Sequence, residues 1–203
     1  MSDRNYKINK LNKSHINEVA KIWKQSLKHN IKSIIGSIII KKYLIKIIEN
    51  NNSLINGIFF KKKLLGFIIF NNDEKIIFDL ILKNIPIILF SFLKNILFLN
   101  FQNVYFFFNV ILYLFFLPEK NVSTHNTETE LLIIAINKNF RNKKLGSKLI
   151  KESFKNKYFN SFKKIKVITL KNTPNNIYFY QKNGFIIDFE YFGRVYLNYY
   201  LKR

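Results

Sequence analysis

Six consecutive apolar residues, Leu131 to Ile136, run straight into a mostly polar stretch, Asn137 to Lys144. Apolar positions at helical spacing follow, with Leu145, Leu149, Ile150, Phe154 and Tyr158 on one face. A strand without polar alternation has to be covered on both sides, so the segment from Glu130 to Ile136 belongs at the centre of a sheet packed by helices. The chain's 203 residues suit one α/β (α+β) domain spanning 1–203 and leave no room for two comfortable ones.

The rest of the pattern agrees with an α/β layering. Residues 6–11 alternate weakly as a first strand, and Ser14 is placed to cap a helix that runs to about Lys28. Ile16, Val19, Ala20, Trp23 and Leu27 line the inner face of that helix. A second helix is predicted from Gly36 to Ile48, then a hairpin from strands 53–60 and 64–70 joined at lysines 61–63. Gly66 lets another backbone come close to its strand. After the central strand and its helix come a strand at 164–170, a short helix at 174–182 ending at Asn183-Gly184, and strands at 185–192 and 194–201.

Several chemistries are excluded early. Cysteine is absent, so there is no disulfide, thiolate metal site or acyl-cysteine intermediate. His15, His29 and His125 lie far apart with no metal-ligand spacing, and no metal is expected. The formal net charge of +22 is spread along a chain dominated by lysine, asparagine and isoleucine. It reads first as a solvated basic surface, with phosphate recruitment and anionic lipid as alternatives. No base-stacking or groove-reading motif accompanies it, so no nucleic-acid partner is expected. The first twenty residues are polar and show no signal-peptide core, which predicts a cytoplasmic protein.

The turn between the central strand and its helix is where binding chemistry concentrates. A strand-to-helix turn aims free backbone N–H groups at one spot, where the helix dipole also favours an anion. Arg141, Lys143 and Lys144 add cations, and Gly146 permits close approach of a ligand. A basic loop that merely starts a helix has the same composition.

Two segments together resemble the GNAT superfamily of N-acetyltransferases. Its acyl-CoA motif is Arg or Gln, two residues, Gly, one residue, then Gly or Ala; Arg141 and Gly146 hold the outer positions, and Lys144 stands in place of the first glycine. A left-handed backbone there would make lysine costly, whereas an ordinary one would let its ammonium help. Asn176 to Phe185 (NIYFYQKNGF) resembles the second signature, a helix ending in Tyr, three residues, then Gly-Phe. Leu65-Gly66-Phe67 continues the likeness on the third strand.

The resemblance implies a mixed, mostly antiparallel sheet of six to seven strands flanked by helices. It also implies transfer of an acetyl or other short acyl group from acetyl-CoA, as co-substrate, to a small primary amine. Tyr180 is then the acid that protonates the departing thiolate, and Glu130 the base, with Glu128 in reserve. Backbone groups of Ile134, Ala135 and Ile136 would meet the pantetheine arm. Arg141, Asn142, Lys143, Lys144, Leu145, Gly146 and Ser147 would surround the diphosphate, and Asn172 would contact the cofactor by its amide.

Residues 76–118 are strongly apolar, and 95–118 carry no charge. A single membrane span there would place the third and fourth strands of one sheet in different compartments, which the fold forbids. That leaves a re-entrant hairpin, a pair of helices lying on the inner face of a membrane, or a helical lid over the acceptor. The resemblance extends to subfamilies with a helical insertion at this point, where amino-sugars on nucleotide or lipid carriers are candidate acceptors. A membrane-associated module that binds CoA or lipid without catalysis is the alternative to an enzyme.

Overall fold

The computed structural model describes residues 5–27, 37–72 and 127–201. The apolar stretch 76–118 lies outside them. Among the described residues no helix is long and apolar enough to cross a membrane.

Seven strands form one sheet. They are β1 (Tyr6–Lys10), β2 (Ser53–Phe60), β3 (Lys63–Asn71), β4 (Glu128–Ile136), β5 (Lys164–Leu170), β6 (Ile186–Tyr191) and β7 (Arg194–Tyr200), in the order β1-β2-β3-β4-β5-β7-β6. Every pairing is antiparallel except β4 with β5. Among the described residues the α-helices are α1 (Ile16–Ser26), α2 (Ser37–Glu49), α3 (Leu145–Ser153) and α4 (Pro174–Lys182). Helices α1 and α2 cover one face through Val19, Ile22, Ile40, Leu44 and Ile47, and α3 covers the other through Leu145, Leu149 and Ile150.

The start of α1 differs from expectation. Asn12, not Ser14, caps the entry: its side chain accepts from the Ser14 N–H at 3.0 Å, ahead of a 3-10 turn at Lys13–His15. Ser14 turns its hydroxyl onto the same Asn12 oxygen at 2.6 Å. Trp23 and Leu27 are half-buried while Ile22 is fully buried, so the inner stripe is rotated by about one residue. Strand β4 begins at Glu128, two residues before the expected start, because Glu128 and Glu130 pair across to Lys164 and Lys166 of β5.

One irregularity positions the site. In β4, Ile133 faces Ile69 and Leu131 faces Phe70, which leaves Leu132 as an extra residue, a β-bulge. Leu132 and Ile133 therefore both pack towards α1 and α2, and the alternation resumes shifted, with Ile134 and Ile136 on the α3 side and Ala135 opposite. Just past the bulge, β3 and β4 come very close: a methyl group on Gly66 would stand 2.7 Å from the Ala135 carbonyl oxygen. That oxygen is held in the ladder and cannot yield. Gly66→Ala is expected to lower stability by about 2–3 kcal/mol in urea denaturation, and a loss below about 0.5 kcal/mol would show that the strands can separate to admit a methyl.

Candidate active site

Strands β4 and β5 pair only over Glu128–Lys164, Thr129–Ile165 and Glu130–Lys166. Beyond them the two strands diverge. Asn137 N–H donates to the Leu65 carbonyl at 2.8 Å, which fixes which way the β4 backbone groups point. Residues 137, 135 and 133 turn towards β3, so Ile134 and Ile136 turn their main-chain groups into the opening beside β5. The Ile136 carbonyl accepts from Arg141 Nε at 3.2 Å, which leaves the Ile136 N–H and both groups of Ile134 facing the gap. Ala135, expected beside them, has its backbone in the β3 ladder and its methyl buried on the α1 side. Strand alternation is the reason: a residue between two that face the gap faces the neighbouring strand.

The turn above this gap is built from two left-handed residues. Asn142 has φ 59° and Lys144 φ 56°. Lys144 is the N-cap of α3 and no side chain caps the helix; the first intrahelical bond runs from Lys148 N–H to the Lys144 carbonyl at 3.0 Å. The N–H groups of Leu145, Gly146 and Ser147 are consequently free of intrahelical partners, and a left-handed residue followed by a helical one turns them to one side. This geometry suits a diphosphate, and an extended amide-bearing arm fits the unpaired edge of β4. Arg141, Asn142, Lys143 and Lys144 are exposed there. Lys143 and Lys63 both place their ammonium groups over the Phe140 ring, at 5.3 and 5.5 Å.

Gly146 also has a close neighbour from α4. A methyl group on it would stand 3.1 Å from Cε2 and Cζ of Phe179 and 3.8 Å from Ile134 Cδ1. Its open side thus receives a ring from α4. Asn172 is exposed in the turn after β5, and nothing in the geometry ties it to the gap.

The spacing Tyr180, three residues, Gly184, Phe185 has a structural cause. Phe185 N–H bonds the Tyr180 carbonyl at 3.1 Å and Gly184 N–H bonds the Gln181 carbonyl at 2.9 Å, with Gly184 at φ 88°. This is the Schellman helix ending, and its apolar clasp is the Tyr180–Phe185 pair, ring centroids 5.6 Å apart. The spacing therefore terminates α4, and the phenol of Tyr180 is a separate matter. Tyr180 is half-buried against the α3-side core, and burial alone pushes its hydroxyl up to about 12. None of the described residues hydrogen-bonds that hydroxyl.

Glu130 lies where pairing ends and divergence begins. Its carboxylate is 3.8 Å from Lys166 Nζ, and Glu128 is 3.0 Å from Lys164 Nζ. Glu130 is on the α1–α2 face, opposite Tyr180: burial, with the Glu130 charge adding, raises the phenol of Tyr43. Lys166 and Tyr43 were not foreseen. The matching Glu-x-Glu and Lys-x-Lys alternations of β4 and β5 were the available signal for Lys166. Among the described residues no cluster of His, Asp and Glu could hold a metal ion.

Two predictions follow from these conformations. A lysine in the left-handed region costs roughly 1 kcal/mol, so Lys144→Gly should raise stability by about 0.5–1 kcal/mol in chemical denaturation; a decrease would show Lys144 to be unstrained. The phenols of Tyr158 and Tyr180 are both raised from 10.0 to about 12 by burial. A raised phenol stabilises the fold fully below pH 10 and loses that contribution as pH climbs through 12. The wild type's melting temperature relative to Tyr180→Phe should therefore fall between pH 10 and 12, and a constant difference would contradict the burial of Tyr180.

Comparison with known proteins agrees with the sheet order. Residues 112–187 match the family model described as an acetyltransferase (GNAT) domain. No curated protein matches the chain. Among solved structures, the PaiA N-acetyltransferase of Thermoplasma acidophilum in complex with coenzyme A is 16% identical, with a TM-score of 0.61 over 99% of this chain and 100% of that one. An acetyltransferase from Thermus thermophilus is 10% identical with a TM-score of 0.60, covering 99% and 100%. A spermidine N-acetyltransferase chimera from Vibrio cholerae and hSSAT is 11% identical with a TM-score of 0.57, covering 96% and 95%. With a seven-stranded sheet opened between its fourth and fifth strands, this chain has the fold of the GNAT acetyltransferases, and the stretch from 112 to 187 is similar to their domain.

Proposed function

We propose that this protein transfers an acetyl group from acetyl-CoA to a small primary amine, both substrates being bound at once. The reading is carried by one observation: the amides of Ile134 and Ile136 face the β4–β5 gap directly below the uncapped start of α3. Acetyl-CoA supplies the thioester. The main-chain groups of Ile134 and the Ile136 N–H hold its amide-bearing arm extended along β4, and the N–H groups of 145–147 with Arg141, Lys143 and Lys144 hold its diphosphate.

An amine entering from the α1–α2 face reaches the gap near Glu130. The amine nitrogen bonds to the thioester carbonyl carbon, the carbon–sulfur bond breaks, and the excess proton on nitrogen leaves towards Glu130 or water. Tyr180 protonates the sulfur and is itself reprotonated from solvent. A phenol near 12 is a weaker acid than a thiol of about 8.5, so the transfer is uphill unless burial in the same apolar slot raises the sulfur's proton affinity as well. Its compensation is that the acid form is present at every working pH.

Tyr180→Phe should lower kcat by roughly 10²-fold while the KM for acetyl-CoA changes little, read by thiol release with an active amine. A wild-type kcat would remove Tyr180 from the mechanism. The wild-type pH profile should show no descending limb below about pH 10 assignable to this phenol. A fall that Tyr180→Phe abolishes would instead mean a lower pKa than burial gives. Calorimetry with acetyl-CoA separates an enzyme from a degenerate module: absence of binding at millimolar concentration would favour the latter.

A further inference from the structure

We propose that Phe179 is a positioning residue, a strut through which the start of α3 sets the place of Tyr180. The inference rests on the role of Tyr180 given above. A glycine in the first turn of a helix weakens that helix, and here the space it leaves is taken by the edge of the Phe179 ring. Phe179 comes from α4, which buries no residue completely and so lies lightly on the sheet. Its approach to Gly146 ties that helix across to the start of α3.

The strut continues into the phenol. Phe179 and Tyr180 meet edge to face with centroids 5.4 Å apart, and Tyr180 meets Phe185 in the same manner at 5.6 Å. Phe185 is fully buried and fixed by the helix ending. Tyr180 is thus clasped between one ring that is anchored and one that leans on Gly146. Among the described residues no hydrogen bond holds its hydroxyl, and the two flanking rings are what they offer to set where the phenol stands. A methyl group on Gly146 would need Phe179 to retreat by a few tenths of an ångström, and Tyr180 would move with it. The diphosphate end and the sulfur end of the site are coupled through two adjacent rings.

The test is a double-mutant cycle between Gly146→Ala and Phe179→Leu, and the alanine favours rather than weakens the helix. Each single change should lower kcat on the order of tenfold with the acetyl-CoA KM nearly unchanged, and the double variant should recover most of the loss. A Gly146→Ala enzyme whose KM rises at constant kcat, or whose defect Phe179→Leu does not relieve, would show that the methyl obstructs the co-substrate and would overturn the strut.

A second readout needs no acceptor. With 13C at tyrosine Cζ, the Tyr180 resonance, assigned by its loss in Tyr180→Phe, should shift in Gly146→Ala and return in the double variant. An unmoved resonance overturns the proposal. A wild type that turns over no amine yet shows the shift and its reversal would remove the enzymatic reading and leave the strut standing.

Discussion

Parallel neighbours in a sheet are held by evenly spaced main-chain hydrogen bonds, and β4 and β5 abandon them after three residue pairs. The divergence follows from the bulge at Leu132, which bends β4 away while β3 keeps hold of its other edge. Two ion pairs, Glu128–Lys164 and Glu130–Lys166, fasten the paired end, so the strands open like blades from a fixed pivot. A sheet interior with unpaired amides would normally be costly. Here that deficit lies on the strand that leads into an uncapped helix start.

Much of this frame was legible because hydrophobic period and helix punctuation are local. The order of strands and helices, the α3 stripe of Leu145, Leu149 and Ile150 and the ending at Asn183-Gly184 came out where the pattern put them. What failed had causes that the pattern does not carry. In an all-apolar strand a bulge leaves no trace, so the shift of alternation at Leu132 could not be read. The choice between Asn12 and Ser14 as cap turned on a 3-10 turn preceding α1, and both residue types cap well. The left-handed backbone at Lys144 is unreadable in a lysine. The neighbour of Gly146 was hidden for another reason, since a glycine announces missing volume without saying which residue fills it.

The second signature divides into two functions that a sequence reading fuses. Gly184 and Phe185 end a helix, and Tyr180 supplies the ring that the ending clasps. A phenylalanine would satisfy that clasp as well. Only the hydroxyl, kept neutral by its dry surroundings, distinguishes a structural ring from a proton donor. The spacing thus locates the residue, and the chemistry must be argued from burial.

The pairing of Asn71 with Glu130 has a consequence for everything between them. Residues 72–127 leave and rejoin the sheet at adjacent strands, so their two ends are fixed a strand's width apart whatever lies between. For a flexible connection under that boundary condition, doubling the length adds only about 0.6 kcal/mol of closure entropy. On closure entropy alone, the sheet is therefore nearly indifferent to the length of whatever joins these two strands.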